Sequence, residues 1–92
     1  MEEKLQLKKN EMEALHKEVY ELFLEKNISG ALKNEYNNKI TQYDSMYSSL
    51  EDMKKMMKDD ARESLINHQM TILEQRIEFE QGMKAQFESM WE

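Results

Sequence analysis

The chain contains no cysteine, no proline and only two glycines in 92 residues. Without cysteine there are no disulfides, no thiolate nucleophiles and no thiolate metal ligands to consider. Proline and glycine most often mark turns, and a β-sheet protein of this size needs several turns. Their scarcity therefore favours an all-α fold with few and short connections.

Apolar residues are also scarce, at 39% of the chain, and nine of them are methionines. A small domain with a thin apolar stripe buries a modest fraction of its surface. We therefore expect a single helical domain, residues 1–92, that gains stability from a partner or from its own copy. No apolar run approaches the length of a membrane span, and the N-terminal residues lack the pattern of a signal peptide. We expect a cytoplasmic protein with no membrane partner; export without a cleaved signal stays open.

Charge is distributed unevenly along the chain, whose net charge is −6. Residues 1–26 carry seven acidic and five basic side chains, residues 27–58 four and five, and residues 59–92 eight and three. Proteins that bind nucleic acid present a basic face that neutralises phosphates. The last third, at net −5, has the opposite sign, so we expect no nucleic-acid partner.

Apolar residues recur every three or four positions on both sides of a short segment that contains glycine. Before it the stripe runs through Leu5, Met12, Leu15, Val19 and Leu22, and after it the stripe runs from Leu32 to Met57. This spacing predicts amphipathic helices. We interpret residues 2–26 as a helix, residues 27–30 as a turn, and the residues from 31 onward as a second helix in an antiparallel hairpin.

The turn reads Asn27-Ile28-Ser29-Gly30. Asn27 or Gly30 suits the left-handed conformation that ends a helix, and Ser29 suits the N-cap of the next helix. A connection this short makes the two helices antiparallel neighbours. We therefore expect their apolar stripes to face each other.

Residues 53–65 allow two interpretations. Asp60 and Glu63 have the spacing of a capping box, which would begin a third helix and give a three-helix bundle. However, the segment contains no glycine or proline, and an apolar stripe continues through it with a local stutter. In that case a long, coiled-coil-like second helix would continue to the C-terminal end, and another chain would have to cover half of it.

Few residues suggest catalytic or metal chemistry. Glu13 and His16 have the Glu-x-x-His spacing of di-iron bundles, but those sites need a second such pair, and His68 has no glutamate three residues before it. No serine lies in a glycine-rich elbow or a phosphate loop. We expect no enzyme, no cofactor and no metal, and we interpret Glu13 and His16 as surface residues.

Met53, Met56 and Met57 end the second apolar stripe. Thioethers bind Cu(I), so a metal site is one interpretation. Core positions and a pliable surface for a partner are the other two. We favour core positions for Met53 and Met57, and we keep all three methionines as candidates for partner binding.

The C-terminal segment carries much large apolar surface. Phe79, Met83, Phe87 and Met90 fall on one helical face, and Trp91 lies beside it. Chain ends seldom hold so much apolar surface unless something covers it. Either the segment docks on the first hairpin or it anchors a partner, since aromatic residues and methionine are enriched at interface centres. We keep these five residues as candidates for partner binding.

In size and hairpin pattern the chain resembles two groups of bacterial proteins. They are the small helical partners and chaperones of type III secretion and the helical-hairpin proteins of type VII secretion. The resemblance covers the outline of the chain: the turn reads Ile28-Ser29-Gly30 in place of Trp-x-Gly, and the Tyr-x-x-x-Asp/Glu signal is matched mid-chain by Tyr47 and Glu51. It implies no individual functional residue.

These observations favour a non-enzymatic helical interaction module, an adaptor or chaperone that covers an amphipathic helical partner or its own copy. One alternative is a secreted or structural helical-hairpin subunit of a bacterial secretion system. Another is a small acidic inhibitor that occupies a basic groove, which the net charge of residues 59–92 would suit.

Overall fold

A computed structural model describes residues 2–90, which form three α-helices: α1 (Glu2–Glu25), α2 (Gly30–Lys55) and α3 (Asp59–Glu88). The predicted all-α fold and its antiparallel hairpin are confirmed. The second helix does not continue to the C-terminal end, so the three-helix alternative is correct. The helices have 24, 26 and 30 residues, lengths that suit side-by-side packing.

The turn between α1 and α2 is capped as predicted but closes differently. Ser29 is the N-cap of α2, and its Oγ accepts a hydrogen bond of 3.2 Å from the backbone N–H of Leu32. No residue between positions 2 and 90 has a positive φ, so the prediction of a left-handed Asn27 or Gly30 is wrong. Ser29 has an extended backbone, and Ile28 is buried in the core, which holds the turn in place.

The break between α2 and α3 has no glycine or proline. The backbone N–H groups of Met56 and Met57 bond to the carbonyls of Met53 and Lys54, which tightens the last turn of α2. The predicted capping box is wrong: α3 begins at Asp59, and its N-cap, Lys58, makes no side-chain capping bond. The two aspartates of the first turn stabilise this end through the helix dipole.

Helix α3 packs closely along both other helices, whereas the backbones of α1 and α2 approach each other at few positions. The expectation that the stripes of α1 and α2 mainly face each other is therefore wrong, because each stripe faces α3. The two helices do meet near their turn, where the ring centroids of Phe23 and Tyr36 lie 5.5 Å apart. The molecule is elongated, with extents of 51 × 21 × 15 Å.

Two apolar clusters form the core. The cluster near the α1–α2 turn contains six buried residues: Val19, Phe23, Ile28, Tyr36, Met83 and Phe87. The cluster near the α2–α3 break contains five: Leu5, Met12, Ile66, Leu73 and Ile77. Leu15 packs against both clusters, and buried polar side chains of α3 lie among them.

Candidate functional site

The C-terminal candidate residues lie mostly within the chain's own core. Met83 and Phe87 are buried, and Phe79 and Met90 pack beside them half-buried. The segment therefore docks on the other helices, which is one of the two alternatives considered for it. In this conformation Phe87 is closed to a partner. Trp91 lies outside the described residues.

The methionines at the end of α2 are exposed. Met53 and Met57 are 42% exposed and Met56 is 82% exposed, so core positions for Met53 and Met57 are a wrong interpretation. The inward position is taken by Lys54, which is 4% exposed. Its ammonium lies 3.4 Å from a carboxylate oxygen of Glu2 and 3.3 Å from one of Glu51. These two ion pairs make the burial of a lysine possible.

A shallow apolar groove of about 580 Å³ lies between α2 and α3. Its lining consists of apolar side chains and small or neutral polar ones: Ser45, Met46, Ser49, Leu50, Met53, Leu65, His68, Thr71 and Ile72. A second depression of about 490 Å³ follows it along α3 and is lined by Tyr43, Gln75, Glu78, Phe79, Gly82, Met83 and Gln86. We call these sixteen residues the α2–α3 face.

The α2–α3 face contains almost no charge. Glu78 is the one Asp, Glu, Lys or Arg among its lining residues, in a chain of which 35% is charged. Interface centres are depleted of charged residues and enriched in methionine and aromatic side chains. The face has this composition, with Met46 and Met53 at its exposed edge.

A different kind of site lies inside the molecule, where all three helices bring polar groups to Glu80. The Glu80 side chain is 0% exposed. Its Oε1 accepts a hydrogen bond of 2.5 Å from the Tyr36 hydroxyl of α2, and Nδ1 of His16, on α1, lies 2.8 Å from the same oxygen. The Arg76 Nε lies 3.4 Å from Oε2. His16 is therefore part of this cluster, and its interpretation as a plain surface residue is wrong.

The charges of the cluster are matched across helices. Arg76, which is also buried, donates a hydrogen bond to the carboxylate of Asp44, whose side chain is largely exposed. Burial, together with the hydrogen bond to Glu80 and the charge of that carboxylate, raises the pKa of Tyr36 far above its ordinary value. The phenol is thus neutral at physiological pH and donates a hydrogen bond to Glu80.

Sequence reasoning missed this cluster, although a signal for it exists. Gln69, Leu73, Arg76, Glu80, Met83 and Phe87 are spaced by alternating steps of four and three, and all six are buried. The sequence analysis followed apolar residues alone and therefore passed over the buried polar ones. A strict heptad reading would have placed Arg76 and Glu80 inward.

A second polar group lies nearer the α2–α3 break. The Gln69 Nε2 donates a hydrogen bond of 2.8 Å to Glu51, while the Gln69 Oε1 has no hydrogen-bond partner within the described chain. The hydrogen bond from Gln69, with added help from Lys54, lowers the pKa of Glu51 despite its partial burial. This group ties α2 to α3.

A groove of about 390 Å³ between α1 and α2 opens above the Glu80 cluster. Its walls carry charges of both signs, including Lys9, Glu13, Asp44 and Arg76. His16, a half-buried member of the Glu80 cluster, also lines this groove, whereas Tyr36 is buried. Among residues 2–90, no group of three or more His, Asp or Glu side chains is placed to hold a metal ion.

Comparison with family models, curated proteins and solved structures found no match to this chain. Within the described residues, none of the three helices combines the length and the apolar content needed to cross a bilayer. The α2–α3 face and the Glu80 cluster are therefore the two features of the molecule that bear on its function.

The raised pKa of Tyr36 predicts a loss of stability in alkali. Because unfolded tyrosine ionises near pH 10 and folded Tyr36 does not, stability is full below that pH and falls above it. We expect the free energy of unfolding to fall by up to about 1.4 kcal/mol per pH unit between about pH 10 and 12 through this residue. Urea unfolding at a series of pH values measures the slope.

The variant Tyr36→Phe should flatten this alkaline slope, and Tyr20→Phe, at an exposed position of α1, is the matched control. Some slope should remain, because burial also raises the pKa of Tyr47. The assignment is wrong if Tyr36→Phe and the parent lose stability with the same slope.

Proposed function

We propose that the protein is a non-enzymatic helical interaction module that binds another helical surface through the α2–α3 face. The observation that carries the proposal is the near absence of charge on that face in a chain with a third of its residues charged. A surface that only met water would have no reason to differ from the rest of the molecule in this way.

The shape of the face also suits a helix. Two antiparallel helices leave a groove between them, and a third helix laid along it completes a bundle-like layer. Met46 and Met53 line the groove with flexible side chains that adapt to a partner's surface. Burial of the exposed parts of these residues, with Leu50 and Ile72 beneath, supplies the apolar contact that drives association.

The absence of cysteine makes a direct test possible, since one introduced cysteine carries a label at one site only. We would attach a benzophenone photocrosslinker at Ser49→Cys on the face, and at Lys17→Cys on the exposed side of α1 as the control. Each purified and labelled protein would be added to a lysate of the cells that naturally produce the chain and irradiated there.

We expect discrete crosslinked species from the label at position 49 and none of comparable yield from position 17. A second change, Met46→Glu, should abolish the crosslink, because it places a charge where the interface is apolar. Equal yields from the two positions, or a crosslink that survives Met46→Glu, would show that the α2–α3 face is not a binding surface.

A further inference from the structure

Gly82 has no explanation within the chain. It lies in the interior of α3, where glycine is destabilising relative to alanine. Its φ is not positive, and a methyl group added at this position would have no atom of the chain within 4 Å. Neither the backbone conformation nor the internal packing therefore requires a glycine here.

The open side of Gly82 belongs to the α2–α3 face, since the residue lines the depression that continues the groove. Where two helices cross, the distance between their axes depends on the side chains at the contact. A residue without a side chain lets a neighbouring helix approach closely. Gly82 thus has the property expected of a contact point with a helix outside the chain.

The near absence of charge on the α2–α3 face indicates what kind of partner supplies this external helix. A partner that recognised this chain by charge would find a single group, Glu78, to pair with. The matching surface must itself be nearly uncharged, and a second copy of the chain presents such a surface. Each copy has a net charge of −6, and contact through a nearly uncharged face adds little like-charge repulsion at the interface itself.

We propose that the α2–α3 face is the surface through which the chain binds a second copy of itself, in an antiparallel two-fold arrangement with Gly82 at a helix–helix contact. This rests on the proposed function of the face. Each copy contributes the same face to such an interface, as two-fold symmetry requires. The two α3 helices then pack against each other across the two-fold axis, with the α2–α3 layer of one copy facing that of the other.

The antiparallel direction follows from Glu78. In a parallel pair the two Glu78 side chains would lie opposite each other, and like charges would meet in an apolar interface. The residues of α3 that line the face run from Leu65 to Gln86, so Gln75 is near their centre. An antiparallel pair centred there offsets the two Glu78 positions by roughly 9 Å along the axis, at 1.5 Å per residue. Gly82 of one copy then lies opposite His68 of the other.

The first test measures mass against concentration by analytical ultracentrifugation. We expect a concentration-dependent dimer for the parent chain, and a dissociation constant about tenfold higher for Gly82→Ala, a change of about 1.4 kcal/mol. In dilute solution, where the chain is monomeric, the same variant should melt higher by about 4–8 °C because alanine favours the helix. The two effects have opposite signs, which simple misfolding cannot produce.

Gly30→Ala is the matched control, because Gly30 is the other glycine, also has no atom within 4 Å of an added methyl group, and lies off the face. It should leave the dissociation constant unchanged. A parent chain that stays monomeric up to high micromolar concentration, or a Gly82→Ala variant that dimerises as tightly as the parent, overturns the proposal.

The second test uses single cysteines on α3. Gln75→Cys should form a disulfide between two copies under mild oxidation, since the position lies near the proposed axis; Glu74→Cys, exposed on another side of α3, should not.

If the photocrosslinker at position 49 captures a different protein and the chain itself is monomeric, only the second copy is refuted as the occupant. If it captures nothing, the interaction function of the face fails as well.

Discussion

Replacing Phe87 with alanine is expected to lower the free energy of unfolding by about 3–5 kcal/mol. The Phe87 side chain is 0% exposed. Its ring centroid lies 5.6 Å from that of Tyr36, edge-on, and 6.3 Å from that of Phe23. The substitution therefore removes a ring that joins all three helices and leaves a cavity that the surrounding helices fill only in part.

Such a loss is a large share of the stability of a small domain, so urea unfolding should show an early transition for this variant. The matched control is Met56→Ala, at the most exposed of the candidate methionines, which should change stability by no more than about 0.5 kcal/mol. A loss below about 1 kcal/mol for Phe87→Ala would mean that the C-terminal part of α3 is not docked, and would return Phe87 to the candidates for partner binding.

The helices themselves were predictable from the sequence because their signals are local. The apolar period depends on residues three or four positions apart, and Ser29 caps α2 through a bond to Leu32 three residues away. Both signals can be read without knowing what the helices pack against. For the same reason the extent of α1 was predicted to within a residue of its observed end, Glu25.

The break after Lys55 was harder to predict because its causes lie far apart in the sequence. Lys54 is buried and its ammonium is close to the Glu2 carboxylate, more than fifty residues earlier. That contact exists only after α1 lies along the other helices. Heptad spacing from Tyr47 and Leu50 reaches Lys54 and not the exposed Lys55, but the contact with Glu2 that makes burial of a lysine possible is not visible in the local sequence.

The candidate sites likewise combine features that are local in the sequence with features that depend on helix packing. The apolar character of the C-terminal segment was recognised from the sequence, but whether Phe87 faced the core or a partner depended on the position of α1 and α2. The α2–α3 face was also not predictable, because it combines residues of two helices whose relative rotation is set by packing. Glycine weakens a helix by its residue type alone, but the placement of Gly82 on that face could be known only from the structure.

Arg76→Met should lower the free energy of unfolding by about 3–5 kcal/mol, because it leaves the carboxylate of Glu80 buried without its cation. Both side chains are buried, and Arg76 Nε lies 3.4 Å from Glu80 Oε2. Methionine occupies a similar position with no charge, so most of the loss should come from the unpaired carboxylate. Asp44, the other partner of Arg76, is largely exposed and is hydrated when the arginine is removed.

The double variant Arg76→Met/Glu80→Gln separates these contributions. A neutral amide oxygen still accepts the hydrogen bond from Tyr36, and the buried charge is gone together with its partner. We therefore expect the double variant to be more stable than Arg76→Met alone and to lie within about 1–2 kcal/mol of the parent, since removing both ions of a buried pair is far less costly than removing one. If the double variant were as unstable as the single one, the contribution of Arg76 would come from the packing of its aliphatic stem, and the Glu80 cluster would not be held together by charge.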